Sequence, residues 1–231
     1  MRELNYNKNI EILKKEFSET NLLKFDKFIP DYFVEKLYLP ASNLNFDEAI
    51  KNIEQKVERD WKYHTSFMKI VDIVAELGTC ERRKVGAVLV KDRRILATGF
   101  NGTPPGSPHC NDEICPGRNA ESGSSLSLCA AVHAEENCLL YCAKYGVTVS
   151  DSMLYCSCEP CDDCMKLVET VGIKMVVFKH PYPTKMSALR KYFKAITISF
   201  ADLAKEYETF CMGRLTFDPE IKFAEQSGCL S

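Results

Sequence analysis

Three residues with zinc-binding side chains stand out in the sequence, and a carboxylate lies beside one of them. His133 supplies an imidazole, and Cys161 and Cys164 supply two thiolates. Zn²⁺ binds nitrogen and sulfur donors tetrahedrally, and a site with three protein ligands keeps a fourth position for water. Glu135 lies two residues after His133, so we expect it to reach that water and act as a proton shuttle without joining the ligand set. The pattern predicts a reactive metal site.

A structural role for the same residues is the alternative. A Cys-x-x-Cys pair alone is common in closed structural zinc sites and in redox motifs. A structural site, however, requires a fourth protein ligand and has no use for Glu135. The combination of His-x-Glu with Pro-Cys-x-x-Cys is typical of zinc nucleobase deaminases. The pair of motifs therefore favours catalysis.

The composition predicts a globular protein of the cytoplasm. The 231 residues are 45% hydrophobic, which suffices for one domain with an appendage. The N-terminus is charged where a signal peptide would be apolar, and no segment is long and apolar enough to span a bilayer. Twelve cysteines in such a chain indicate metal binding and reduced thiols rather than disulfides. A net charge of −2 and a pI near 6.1 make nucleic acid an unexpected partner.

The hydrophobic periodicity predicts the elements that position these residues. One helix is predicted over 61–77, and strands over 85–90 and 95–100 form a hairpin. A helix beginning at His133 and another beginning at Cys161 place the ligands at helix N-termini, where backbone N–H groups favour thiolate. The remaining predictions are strands over 152–156, 174–178 and 195–200, a turn over 157–160, and helices over 185–194 and after Lys205. Together they predict a mixed sheet covered by helices, with zinc at the carboxyl ends of strands.

Three regions follow from this pattern: an N-terminal extension over 1–59, mostly helical, a zinc-dependent domain over 60–204, and a C-terminal tail over 205–231. Within the extension, Asn45 and Glu48 resemble an N-cap pair. The extension is expected to be a packing element or an oligomer contact, and a partner-binding or regulatory role is the alternative.

A second group of cysteines lies near the predicted active site. Cys110 and Cys115 fall in a stretch over 103–127 that is too long for an ordinary connection, Cys129 follows it, and Cys80 precedes the hairpin. Four such thiols can close a structural zinc site whose binding energy would order the stretch. Alternatively, some are small buried hydrophobes, or His109 replaces one ligand.

The motifs resemble those of the deoxycytidylate (dCMP) deaminases, including the late-competence type from bacteria, within the cytidine deaminase fold. The resemblance covers roughly residues 61–178. The segments that carry it are Ser66-Phe67-Met68, Thr79-Cys80, Val85-Gly86-Ala87-Val88, Gly99-Phe100-Asn101-Gly102, His109-Cys110, His133-Ala134-Glu135-Glu136-Asn137, Glu159-Pro160-Cys161-Asp162-Asp163-Cys164 and Val171-Gly172-Ile173-Lys174.

The resemblance implies a three-layer α/β/α fold with a mixed sheet of about five strands, and deamination of dCMP to dUMP and ammonia by zinc-bound hydroxide with Glu135 as the shuttle. It implies that Asn101 binds the sugar, and we expect Ala134 and Ser157 to be further substrate contacts. The four cysteines Cys80, Cys110, Cys115 and Cys129 resemble the second zinc set of the late-competence members. Members are often homo-oligomers regulated by dCTP and dTTP, so we expect the same partners here and no membrane.

The phosphorylation state of the substrate stays open, since no motif identifies a phosphate site. Arg82, Arg83, Lys84 and Arg118 are possible anion partners, with a solvated basic surface as the alternative. Other functions that share the zinc centre are antiviral destruction of dCTP and editing of tRNA or single-stranded DNA. A non-catalytic, zinc-stabilised interaction protein would explain the cysteines but not Glu135.

Overall fold

The structure is a computed structural model, and it describes residues 46–111, 115, 129–182 and 190–215. Residues 62–203 form one compact unit, and the described residues on either side belong to a second. The first helix, α1 (Phe46–Glu76), is 31 residues long. None of the helices within the described ranges could cross a membrane. Most of the predicted N-terminal extension and the end of the tail lie outside the described residues.

The unit 62–203 is built on a five-stranded sheet with the order β2-β1-β3-β4-β5. Strand β1 (Gly86–Lys91) pairs antiparallel with β2 (Arg94–Phe100) and with β3 (Met153–Cys158). Strand β4 (Met175–His180) is parallel to β3, and β5 (Ile196–Ser199) is parallel to β4. The sheet is therefore mixed and has five strands, as the sequence predicts.

Helices cover both faces of this sheet. On one face, α2 (Ala134–Tyr145) and α3 (Asp162–Thr170) share a buried core with Leu89 of β1. On the other face, the ring of Phe67 in α1 lies against that of Tyr155 in β3, with 5.3 Å between centroids. Since β1 and β3 are buried on both faces, their sequences are continuous apolar runs rather than alternating ones. This is the predicted three-layer arrangement.

One glycine allows α2 to approach the sheet closely. A Cβ on Gly99 of β2 would overlap the carbonyl oxygen of Ala134 and lie 2.7 Å from the backbone nitrogen of Cys138. No side chain fits at that distance without moving the helix. Ala134 stands between His133 and Glu135, so this contact sets the position of the predicted site relative to the sheet.

The bounds of three elements differ from the sequence predictions. The helix predicted over 61–77 is the second half of the longer α1. Strand β3 continues through Cys158, where the sequence predicts a turn, because Cys158 pairs with His180 of β4. Helix α4 (Phe200–Leu215) begins directly after β5, five residues before the predicted start. Of the helix predicted over 185–194, residues 185–189 lie outside the described residues, and residues 191–194 form a turn and irregular chain rather than a helix.

Candidate active site

Hydrogen bonds hold the start of α2 against the end of β2. Gly102 and Val132 exchange two backbone hydrogen bonds of 3.2 and 2.9 Å, which bring together the two ends of the long connection between β2 and α2. The Nδ2 of Asn137 donates to the carbonyl oxygen of Phe100 at 2.9 Å. His133, the residue after Val132, is thereby fixed at the edge of the sheet.

His133 and Cys161 are the N-cap residues of α2 and α3. N-caps are usually Ser, Thr, Asp or Asn, whose side-chain oxygen accepts a hydrogen bond from the first turn. Neither His133 nor Cys161 makes such a bond, and each helix instead has two acidic residues in its first turn, which suit the positive end of the helix dipole. The cap positions are therefore free to carry metal donors, at the helix N-termini that the sequence predicts.

The donor atoms of His133, Cys161 and Cys164 form a compact group. Nδ1 of His133 is 3.4 Å from each of the two sulfur atoms. Tetrahedral zinc, with bonds of about 2.0 Å to nitrogen and about 2.3 Å to sulfur, requires a nitrogen–sulfur distance of about 3.5 Å. All three donor atoms lie within 4.8 Å of one another, and no other group of three or more His, Cys, Asp or Glu side chains among the described residues does so. The donor types and their spacing fit zinc.

Glu135 is buried beside this group. Its Oε2 accepts a hydrogen bond from Sγ of Cys164 at 3.8 Å, and the residue is 4% exposed. Burial raises the pKa of Glu135 to about 7, because water no longer stabilises the charged form. A carboxyl group with a pKa near neutrality can accept a proton and return it, which is the property that a proton shuttle needs.

The protons of the three donors are distributed unevenly. A hydrogen bond from Cys164 lowers the pKa of Cys161 to about 4, and the pKa of Cys164 is raised because it is the donor in that bond and is buried. The hydrogen bond with Cys161 raises the pKa of His133 to about 9. Metal ligands bind deprotonated, so a metal ion would displace protons from His133 and Cys164.

An arginine from a distant segment binds the turn that carries Cys161. Arg190 donates from Nη1 to Oε1 of Glu159 at 2.6 Å, from Nη2 to the Pro160 carbonyl at 2.6 Å, and from Nε to Oδ1 of Asp162 at 3.0 Å. This residue cannot be found from the sequence, because no local pattern links it to the Pro-Cys-x-x-Cys motif. The one signal is Glu159, which directly precedes that motif and has no assigned role, so a basic partner is expected for it.

The residues expected to bind substrate also support the first strand. Oδ1 of Asn101 accepts from the backbone N–H of Val85 at 2.8 Å, and its Nδ2 donates to the carbonyl of Arg83 at 2.7 Å. Oγ of Ser157 accepts from the first N–H of β1 at 3.1 Å. Both side chains and Ala134 are buried. Each end of the Asn101 amide has one more hydrogen-bonding position than these two bonds use.

The four cysteines expected to hold a second zinc lie near one another. Cys115 and Cys80 act on the pKa of both Cys110 and Cys129, as neighbouring thiols do. Burial, and after it the charge of Cys80, raises the pKa of Cys110 to about 11. Cys80, Cys110 and Cys115 are buried and Cys129 is partly buried. Among the described residues these sulfur atoms do not form a group as compact as the His133 group, since no three lie within 4.8 Å of one another.

One of the possible anion partners faces the metal side of the sheet. Nη1 of Arg83 donates to Sγ of Cys158 at 3.1 Å. Burial raises the pKa of the nearby Tyr182 phenol, while the charges of Arg82 and Arg83 act in the opposite direction. Arg118 lies outside the described residues. The end of β3 therefore has basic side chains beside the motif that holds Cys161.

A mixed sheet covered by helices, with one His and two Cys donors at two helix N-termini and a buried Glu beside them, defines a zinc-dependent deaminase domain. The family model of the cytidine and deoxycytidylate deaminase zinc-binding region matches residues 62–180, more than half of the chain. The chain belongs to this family, as the sequence motifs indicate.

Curated relatives and a solved structure agree with this membership. The chain is 41% identical over 118 residues to the deoxycytidylate deaminase of Schizosaccharomyces pombe, covering 50% of this chain and 36% of the yeast enzyme. It is 40% identical over 126 residues to the deoxycytidylate deaminase of Mycobacterium phage D29, covering 52% of this chain and 94% of the phage enzyme. The dCMP deaminase of cyanophage S-TIM5, solved with dCMP and dUMP, matches with a TM-score of 0.50 and 29% identity, over 60% of this chain and 97% of that one. The match thus spans about a third of the yeast enzyme but nearly all of the two phage enzymes.

Proposed function

We propose that this protein catalyses the hydrolytic deamination of a cytosine deoxynucleotide, with dCMP as the substrate and dUMP and ammonia as the products. The observation that carries the proposal is the buried Glu135 carboxyl, 3.8 Å from Cys164 within the His133, Cys161 and Cys164 group. The relatives named above support dCMP in particular, since they are deoxycytidylate deaminases.

The residues of the site divide the chemistry between them. Zinc held by His133, Cys161 and Cys164 would lower the pKa of water from about 9 to about 7 and so supply a nucleophile at neutral pH. Glu135 accepts the proton from the attacking water and transfers it to ring N3, which makes C4 more electrophilic. Once the new C–O bond has formed, Glu135 takes the remaining proton of the C4 hydroxyl and donates it to the amino group, and the C–N bond breaks to release ammonia and leave the C4 carbonyl of uracil. One water is consumed per turnover, and no other reactant is needed.

Recognition of the nucleotide is assigned to residues around this centre. The unused hydrogen-bonding positions of Asn101 suit a sugar hydroxyl. The hydroxyl of Ser157 accepts one bond and can still donate its own proton. Ala134 lies in the first turn of α2, where backbone N–H groups have no partner within the helix. These three residues form the proposed contacts with the sugar and base.

A second, structural zinc at Cys80, Cys110, Cys115 and Cys129 is part of the proposal. Four thiolates around zinc lie about 3.8 Å apart, so binding would draw these sulfur atoms together from their wider spacing. The proximity of the four thiols, which act on one another's pKa, supports it. Its role would be to order the connection between β2 and α2 next to the substrate.

A homo-oligomer and regulation by dCTP or dTTP remain predictions from the family resemblance, and a cytoplasmic location remains a prediction from the composition. The sequence pI near 6.1 supports a small nucleotide over a nucleic acid strand as the partner.

A panel of substrates tests the proposal. Zinc-loaded protein is assayed for ammonia release and for the ultraviolet change of cytosine to uracil on dCMP, dCTP, deoxycytidine and CMP. We expect turnover of dCMP well above that of the other three. A preference for dCTP would indicate instead that the protein depletes nucleotides in antiviral defence. If no cytosine compound is turned over, a zinc-stabilised interaction protein becomes the favoured function.

A further inference from the structure

The guanidinium of Arg190 touches the chain on both sides of the metal ligand Cys161. Two of its acceptors, the Glu159 carboxylate and the Pro160 carbonyl, precede Cys161, and the third, the Asp162 carboxylate, follows it. Arg190 itself comes from the segment before β5, more than 25 residues away along the chain. One side chain thus spans the turn that presents this sulfur atom.

The geometry uses the particular shape of arginine. Nε, Nη1 and Nη2 each donate to a different acceptor, at 3.0, 2.6 and 2.6 Å. A planar guanidinium fixes the directions of its N–H groups, whereas a lysine ammonium is a single rotating point charge. Three fixed directions hold the acceptors at fixed positions relative to one another. Arg190 therefore fixes the shape of the turn and also balances the negative charge of its carboxylates.

The turn is tied to the sheet through the same carboxylate. The second oxygen of Glu159, Oε2, accepts from the backbone N–H of Tyr182 at 3.2 Å, and the N–H of Glu159 donates to the carbonyl of His180 at 2.8 Å. Both partners lie at or just after the end of β4. Glu159 thus connects Arg190 and the turn to a rigid strand end.

The ion pairs are partly removed from water, so they act more strongly than surface pairs. The side chains of Arg190, Glu159 and Asp162 are 15%, 16% and 17% exposed. Loss of Arg190 would leave two partly buried carboxylates beside the thiolates of the metal group without the cation that they share. Breaking a buried pair by removing one partner is costly, because the remaining charge is poorly solvated.

We propose that Arg190 is a positioning residue for the metal site, and that its clamp on Glu159, Pro160 and Asp162 holds Cys161 in the geometry that retains zinc. Its three hydrogen bonds go to Glu159, Pro160 and Asp162 rather than to a metal donor. It acts through the turn, and its effect is on metal affinity and geometry. The inference rests on the proposed zinc site but not on the identity of the substrate.

The test compares zinc affinity between wild type and Arg190→Gln, by competition with a chromophoric chelator of known affinity. Residues that support metal ligands in this way typically contribute 10- to 100-fold to metal affinity. We expect zinc to bind to Arg190→Gln about 10- to 100-fold more weakly. Arg190→Lys keeps the positive charge but loses the planar guanidinium, so its zinc affinity should lie between those of the wild type and Arg190→Gln. Cobalt-substituted protein gives a second readout, because its visible absorption reports the geometry of the ligands, and this spectrum should change in Arg190→Gln.

The matched control is Lys179→Gln, which breaks an ion pair of 2.8 Å between Lys179 and Asp72 elsewhere in the same unit. It should leave zinc affinity and the cobalt spectrum unchanged, even where it lowers the urea midpoint of the metal-free protein as much as Arg190→Gln does. Zinc affinity of Arg190→Gln within about threefold of wild type would overturn the proposal. So would an equal loss of affinity in the control, since the effect would then be one of general stability.

Substitution of the partner carboxylate tests the clamp even if Arg190→Gln impairs folding. Glu159→Gln should weaken zinc binding on its own, and Arg190→Gln combined with Glu159→Gln should be no weaker than Arg190→Gln alone, since both remove one shared contact. Independent, multiplicative losses would contradict the clamp. Should the wild type itself bind no zinc at the His133 group, the proposed function would fail, and that result is distinct from a failure of the clamp.

Discussion

The proposed role of Glu135 depends on a carboxyl group that is buried and close to the candidate metal donors. Glu135→Gln keeps the shape of the side chain but cannot take up a proton. We expect it to keep zinc and fold while turnover of dCMP falls by about 100-fold or more, the usual range for a lost general acid–base group. Zinc content and turnover are measured on the same sample. Glu136→Gln, in the same turn but with no assigned role, is the control, and near-normal turnover in Glu135→Gln would remove its assignment.

His133 is the one nitrogen donor of the group. His133→Ala leaves two thiolates, which hold zinc less well than three protein ligands, so the site should lose its metal and turnover should cease. Metal analysis after dialysis against a weak chelator measures the first effect. His180→Ala removes an exposed imidazole at the end of β4 and should retain full occupancy. Full zinc retention by His133→Ala would show that other residues bind the metal.

At the level of elements, the close approach of α2 to β2 places His133 and Glu135 against the sheet. Gly99→Ala adds a methyl group where the Ala134 carbonyl already lies. We expect a loss of about 1–3 kcal/mol in the free energy of unfolding, the typical cost of overpacking, together with weaker zinc binding, because α2 must move. Urea denaturation and chelator competition measure the two effects. Thr98→Ala, at the exposed neighbouring position, should change neither stability nor zinc binding. If Gly99→Ala also changes neither, the close approach of α2 to β2 does not set the position of the site.

The elements also separate what local sequence predicts from what it does not. The hairpin β1–β2 and helix α2 with its end at Gly146 follow from apolar periodicity and glycine signals, and the structure confirms them. The extension of β3 through Cys158 was not predictable, because Ser157 and Cys158 resemble a turn and only pairing with β4 makes them a strand. The start of α4 directly after β5 has a different, local origin: Oγ of Ser199 accepts from the backbone N–H of Asp202 at 3.0 Å, the usual bond of a helix N-cap.

For the whole molecule, the metal content distinguishes a chain with one zinc from a chain with two. We expect about two zinc ions per chain, one at His133 and one at the four cysteines, when the zinc content is measured by mass spectrometry. Cys110→Ser should reduce the value to about one and lower the thermal midpoint, while the His133 site keeps its metal. Ser107→Ala in the same connection should alter neither quantity. A firm value of one in the wild type would exclude the second site.

The sequence predicts the metal group because its residues lie in two short motifs, and the structure brings His133, Cys161 and Cys164 together as those motifs require. The supporting residues are another matter. Arg190 reaches Glu159 and Asp162 only through the fold, and Asn101 has structural contacts that the family resemblance does not reveal. Chemistry concentrated in motifs can be predicted from sequence, whereas contacts between distant segments depend on the assembled sheet.

The proposed deaminase function is tested most directly by the turnover of dCMP to dUMP by zinc-loaded wild type and by Glu135→Gln, with zinc content determined on both preparations. We expect dUMP and ammonia in equal amounts from the wild type, and about 100-fold or more slower formation by a variant with equal zinc. A zinc-loaded wild type that leaves dCMP unchanged, or a Glu135→Gln variant that matches it, would contradict the proposed deaminase function.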